Sequence, residues 1–158
     1  MVSQKGFRNG KHDLRRGIDF IGITCVFFCH DGNGHFLMHK RSKNCRDEQG
    51  RWDFGGGALE FGETIEDSIK REIKEEYNVD PLEMTFIKTY EAHRQLPDGT
   101  PTHWIAFLYA VKINPKQAKN NEPYKIDEIG LFSVDNLPDP LHSMTQINLE
   151  AVKASGLI

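Results

Sequence analysis

The chain predicts an α+β sandwich built on a mixed β-sheet, and three observations support this. Six apolar runs read as strands, while only two stretches carry helical periodicity. Strands and helices do not alternate, so a wholly parallel sheet is not expected. Two tight-turn signals, Asp31-Gly32-Asn33-Gly34 and Leu96-Pro97-Asp98-Gly99, join neighbouring strands as hairpins.

Residues 1–17 are polar and glycine-bearing, and read as a flexible or loosely docked arm before a single domain over 18–158. Phe20 to Cys29 is apolar on both faces, as in a central strand. The first hairpin turn returns the chain into Phe36 to Lys40. Arg41 to Arg51 is charged and reads as a loop. Trp52 to Phe54 forms a short strand, and a glycine-rich turn then leads to a helix that Thr64 caps, with Asp67 in a capping-box-like position. Thr85 to Gln95 and Thr102 to Ile113 are two long strands of one hairpin. Asn114 to Tyr124 is a polar loop. Ile129 to Val134 is a last strand, and Met144 to Ala154 a helix with Ile147, Leu149 and Val152 apolar. There is no internal repeat.

At 158 residues the chain is one domain long and large enough to bury a core. Its 38% hydrophobic and 27% charged residues are those of a water-soluble globular protein. A net charge of −3 argues against binding nucleic-acid polymers by counterion release, yet suits small phosphorylated ligands held by local cations and a metal. No apolar run approaches a membrane span, and the basic N-terminus lacks the apolar segment of a signal peptide. Cys25, Cys29 and Cys45 show no metal-ligand spacing; the first two share a strand face as reduced core residues. Cytoplasmic residence is the expectation.

The segment from Gly57 to Val79 carries the chemistry. Glu72, Glu75 and Glu76 are spaced to be neighbours on one side of a helix, where like charges repel. A bound divalent cation turns that repulsion into attraction, and hard oxygen ligands suit Mg²⁺ or Mn²⁺. At about 100° per residue, Ile65, Ile69, Ile73 and Tyr77 form an apolar stripe, and Glu72 and Glu76 each lie about 20° from Ile65. Both carboxylates are therefore expected to face the protein body, where burial is costly without a cation. The plainer alternative is a solvated acidic helix face.

Gly57, five residues, Glu63, seven residues, then Arg71-Glu72-Ile73-Lys74-Glu75-Glu76 resembles the Nudix box of the MutT-like hydrolases. The resemblance extends upstream through Gly50 to Gly56 and downstream through Asp127 to Pro138. Two positions depart from the family pattern: Asn78 stands where the box ends in glycine, and Gly55 where a proline is usual. Asn tolerates the left-handed conformation needed after a helix, and Pro81 keeps the helix from resuming. The resemblance implies an α/β/α sandwich and hydrolysis of a nucleoside diphosphate linked to another group, with Mg²⁺ or Mn²⁺.

Carried onto this chain, the resemblance makes Glu72, Glu75 and Glu76 metal ligands, with the Gly56 carbonyl and, alternatively, Glu60 in the same shell. Glu72 is a candidate to activate the water; Glu122, Asp127 and Glu128 stay open as the base. Arg71, on the helix face away from the three glutamates, is expected to pair with Glu63 or its neighbours and to hold the Gly57 turn. Arg46, Arg51, Trp52, Arg94 and His103 are substrate-binding candidates, each with solvation or core packing as the alternative. The substrate expected is a (d)NTP or modified (d)NTP cleaved to monophosphate and pyrophosphate. ADP-ribose or a nucleotide sugar is the alternative, and a non-catalytic nucleotide-binding module is the reading from another class. A homodimer is compatible with the apolar strand positions.

Overall fold

The computed structural model describes residues 8–9 and 12–158. A two-stranded ladder, β1 (Arg8–Asn9) with β2 (His12–Asp13), precedes a seven-stranded mixed sheet. That sheet comprises β3 (Gly22–His30), β4 (Phe36–Arg41), β5 (Trp52–Asp53), β6 (Gly55–Ala58), β7 (Glu83–Gln95), β8 (Pro101–Lys112) and β9 (Ile126–Phe132). Its two helices are α1 (Ile65–Tyr77) and α2 (Thr145–Ala154).

The central strand β3 runs parallel to β8 from Gly22↔Trp104 to His30↔Lys112 and antiparallel to β6. β7 closes one side as the antiparallel partner of β8, and β4 carries β9 and β5. Side chains of β3 alternate between two cores. Cys25, Phe27 and Cys29 meet Ile69, Ile73 and Tyr77 of α1, while Phe28 joins Phe36, Met38, Leu149 and Val152 on the α2 side. A strand covered on both faces has no polar side to show, which is why this segment reads as a continuous apolar run. The molecule is thus an α/β/α sandwich with a mixed sheet.

Local chemistry sets the boundaries of α1. The Thr64 hydroxyl accepts from the Asp67 N–H, and Asn78 ends the helix at φ 52°, ψ 37° with its N–H bonded to the Lys74 carbonyl. Beyond shifts of one to two residues at several strand ends, three features differ from expectation. Gly55–Ala58 is a strand and not a turn: β3 supplies its ladder partners, and the missing side chains let α1 approach. The last strand begins at Ile126, whose buried side chain joins the α1 core. A short 3-10 turn, Pro115–Gln117, interrupts the polar loop.

The arm expected over 1–17 lies mostly outside the described residues. At its end, the Gly17 N–H bonds the Phe20 carbonyl and the Gly17 carbonyl accepts from the His103 N–H, so this point is docked on β8. No helix among the described residues is long and apolar enough to cross a membrane.

Candidate active site

One wall of the site is the acidic face of α1. Arg71 reaches Glu63 with Nε–Oε1 at 2.5 Å and Nη2–Oε2 at 3.0 Å, tying the turn to the helix. The same guanidinium bonds Glu72 Oε1 at 2.8 Å and stands 3.4 Å from Glu75. Arg71 is therefore not on a face away from the glutamates; its long side chain folds back across the helix to bridge them. Three carboxylates around one cation keep it firmly charged, and the guanidinium in turn holds Glu63 below its usual range.

Burial decides the state of the other two glutamates. It raises the Glu72 carboxyl to about 7, with the Arg71 contact opposing the rise. Glu76 is buried and pushed well above the ordinary carboxylate range by desolvation, then by Glu72 and Glu122; the Gly56 N–H opposes this. Its Oε2 is buried with no hydrogen-bond partner. Glycine makes these approaches feasible: a Cβ on Gly57 would overlap the Glu72 carboxylate, and one on Gly55 would strike Phe27 and Glu76. The departure at Gly55 thus has a packing reason in Phe27.

The loop after β8 is bound to the C-terminal end of α1. Lys119 N–H bonds the Tyr77 carbonyl, Asn121 N–H the Glu76 carbonyl, and the Asn121 side chain reaches the Lys74 and Glu75 carbonyls. These bonds satisfy helix-end acceptors and bring Glu122 within electrostatic reach of both Glu72 and Glu76. Beneath them, the Tyr77 hydroxyl and His39 Nδ1 share a buried hydrogen bond of 2.6 Å. Burial, helped by Arg41 and His142, pushes His39 down to about 3, so it stays neutral beside Glu76.

A cavity of about 230 Å³ opens between Glu76 with the glycine strand β6 and a cationic wall made by Arg41, Arg46 and Arg94. Arg41 bonds Asp47 at 2.8 Å and Arg94 bonds the other Asp47 oxygen at 2.7 Å. Arg94 also pairs with Glu48, which in turn bonds His142 Nε2 at 2.8 Å and the Ser143 N–H at 2.7 Å. Glu48 itself has φ 47°, a conformation held by these bonds. The network orients two guanidinium groups; Asp53 stands 3.7 Å from Arg41, and Arg46 adds a third cation 6.0 Å from the Trp104 ring. Trp104 lies over Gly17 and Gly22, where any Cβ would overlap the indole.

The structure gathers only part of the expected site. Gly56, Gly57, Glu76, Arg46 and Arg94 line the cavity, with Glu72 beside it across Gly57. Glu75 is the most exposed of the three glutamates, at 41% of its side chain. Glu60 is half-buried in the turn, its N–H bonded to Glu63 Oε2 at 3.1 Å. Arg51 is no cavity residue: it is exposed and bonds the Leu141 carbonyl at 2.9 Å. Trp52 is core, packed edge-on against Phe132. His103 points away from the cavity, because strand alternation sends it to the face opposite Trp104. Asp127 and Glu128 are exposed on β9 and do not line the cavity. Asp47, Glu48 and the part played by His142 were missed, since their partners lie far away in sequence.

The residues present fit a divalent metal. Two buried carboxyls, one with an orphaned oxygen, and a third beside them form a hard-oxygen donor set whose ionised form needs a cation.

A mixed sheet between two helices, with an acidic helix laid against a glycine strand at the cavity floor, defines the class of Nudix-fold proteins. The chain belongs to the NUDIX domain family, whose model matches residues 21–154. The nucleoside triphosphatase NudI of Enterobacter sp. (strain 638) is 33% identical over 94 residues, which is 56% of this chain and 64% of that protein. An ADP-ribose pyrophosphatase of Methanocaldococcus jannaschii is 30% identical over 102 residues, 65% of this chain and 56% of that protein. The chain thus spans less than two thirds of the length of either relative. The crystal structure of a MutT NUDIX hydrolase from Burkholderia pseudomallei superposes with a TM-score of 0.74 at 28% identity, covering 84% of this chain and 98% of that one. The NUDIX domain of Shewanella oneidensis NrtR, solved with ADP ribose, shares the fold with a TM-score of 0.66 at 16% identity, over 86% and 88% of the two chains.

Proposed function

We propose that the chain hydrolyses a phosphoanhydride bond of a nucleoside diphosphate derivative, with Mg²⁺ or Mn²⁺, in a cytoplasmic nucleotide pool. One observation carries the reading. A buried glutamate with an unpartnered oxygen faces, across one cavity, a wall of three arginines. Carboxylates on one side and guanidinium groups on the other are what a metal-bound phosphate chain requires.

Glu72, Glu75 and Glu76 would hold the metal, with the Gly56 carbonyl and Glu60 as further oxygen donors. The ion, when bound, offsets phosphate charge and lowers the pKa of a coordinated water. Arg46 and Arg94 receive phosphate oxygens, and Arg94 is held for that task by Asp47 and Glu48. Trp104 offers an apolar face to the base or its sugar. Water adds to phosphorus, the bridging P–O bond breaks, and the water proton passes to a carboxylate. Glu122, Asp127 and Glu128 all lie outside the cavity lining, and Glu122 is the favoured acceptor among these open candidates because it stands within electrostatic reach of both buried glutamates. Glu72 is the other candidate.

The proposed substrate is a (d)NTP or modified (d)NTP, cleaved between the α and β phosphorus to monophosphate and pyrophosphate; the NudI relative supports it. ADP-ribose is the second reading, supported by the archaeal pyrophosphatase relative. A panel of canonical and oxidised (d)NTPs, ADP-ribose and nucleotide sugars with Mg²⁺ separates the two by their products. Pyrophosphate release supports the first; AMP with ribose phosphate supports the second. Glu75→Gln is expected to abolish turnover and leave the circular dichroism spectrum unchanged. Near-normal rates at saturating Mg²⁺ would sink the ligand assignment, and tight nucleotide binding without turnover by the unaltered chain would favour a non-catalytic module.

A further inference from the structure

The strands that carry Arg94 and Trp104 into the cavity present a different chemistry on their reverse face. Glu91, His93 and His103 each bring one ligand atom within 4.8 Å of the other two. No other set of three His, Cys, Asp or Glu residues among the described residues does so; the glutamates of α1, drawn onto Arg71, converge less closely. His93 and His103 are directly paired across β7 and β8, and Glu91 lies two residues along β7 on the same face.

Two details distinguish this from an ordinary cross-strand histidine pair. His103 Nε2 is buried and has no hydrogen-bond partner, and the two imidazole rings lie with centroids 4.1 Å apart at an interplanar angle of 32°. His93 Nε2 stands 3.5 Å from Glu91 Oε2, too long for a strong hydrogen bond. Two ligands about 2.0–2.1 Å from a tetrahedral zinc ion are themselves about 3.3–3.4 Å apart, so the Glu91–His93 spacing suits a shared ion, with His103 within 4.8 Å of both. The donor set also selects the metal. Two imidazoles and one carboxylate favour Zn²⁺ and its borderline-soft neighbours over Mg²⁺, which prefers oxygen alone.

We propose that Glu91, His93 and His103 form a second metal site, specific for Zn²⁺-type ions, on the sheet face opposite the cavity. It is separate from the Mg²⁺ reading of α1 and does not depend on it. Water completes the tetrahedron. A bound ion would fasten β7 to β8 at the step next to Ala92↔Trp104 and Arg94↔Thr102, fixing the register that sets the cationic wall. Backbone support is already present, since the His103 N–H is held by the Gly17 carbonyl at 2.8 Å.

The test is calorimetric titration of the full chain with Zn²⁺ in saturating Mg²⁺, with Co²⁺ absorption as the reporter of tetrahedral coordination. One Zn²⁺ per chain is expected, kept in Glu75→Gln and weakened at least about tenfold in His93→Gln and in His103→Gln. His93 is 62% exposed in its side chain, so His93→Gln folds and decides the matter even where His103→Gln does not. Unchanged affinity in His93→Gln, loss of the site in Glu75→Gln, or no stoichiometric binding by the unaltered chain each overturns the proposal.

Discussion

Glu72 shows how a single side chain can make the molecule sensitive to pH. Its carboxyl titrates near 4.5 in an unfolded chain and at about 7 in its buried place beside Arg71. Between those values the folded chain holds a proton that the unfolded chain has released. Stability from this group is therefore full below 4.5 and lost as pH rises through 7. Glutamine mimics the protonated form at every pH. In metal-free buffer, Glu72→Gln should match the parent chain in acid and become the more stable of the two above neutrality. Denaturant midpoints across a pH series measure this, and a pH-independent difference would show that the carboxyl is not raised. Mg²⁺ should reverse the effect, because a bound cation favours the ionised form.

At the scale of elements, the stop signal of α1 is open to direct measurement. Asn78 sits at φ 52°, where a Cβ-bearing residue without a short polar side chain costs about 1 kcal/mol. Asn78→Ala should lower the unfolding free energy by about that much, and Asn78→Gly should change it little; equal losses in both would point to the side chain and not the backbone. This helix was legible in the sequence almost to the residue, since its cap, stripe and stop are local features. Strands β3, β4, β7 and β8 were legible for similar reasons, with hairpin turns between two pairs. β6 was not, because Gly55-Gly56-Gly57 has no strand propensity and owes its conformation to β3 and α1. The acidic wall of the site could be read from spacing within one helix. The cationic wall could not: Arg94 meets Asp47 and Glu48 from 47 and 46 residues away, and no periodicity records such a contact.

Across the whole molecule, two cores share one sheet. Ile73 is buried in the core on the α1 side with Phe27, and Leu149 in the core on the α2 side with Phe28, the next residue of β3. Truncating either to alanine removes buried surface and leaves a cavity, at about 2–5 kcal/mol. Ile73→Ala and Leu149→Ala should each lower the midpoint of a single cooperative transition seen by both helix and tryptophan signals. Two separated transitions would mean that the layers unfold independently. The shared strand also explains why the site has rigid walls: the acidic helix rests on one face of the sheet, and the arginine strand is hydrogen-bonded into the same sheet.

The parallel pairing of β3 with β8 also bears on the order in which the chain can assemble. Its partners lie about eighty residues apart along the chain, whereas β3, β6 and α1 fall within a much shorter span. Closing the longer loop costs more entropy, and long-range parallel pairing forms slowly. During synthesis β3, β6 and α1 leave the ribosome before the strand bearing Trp104 does. Arg41 and Arg46 precede the acidic helix, so only the part of the cavity that Arg94 and Trp104 supply is born after the part that would hold metal.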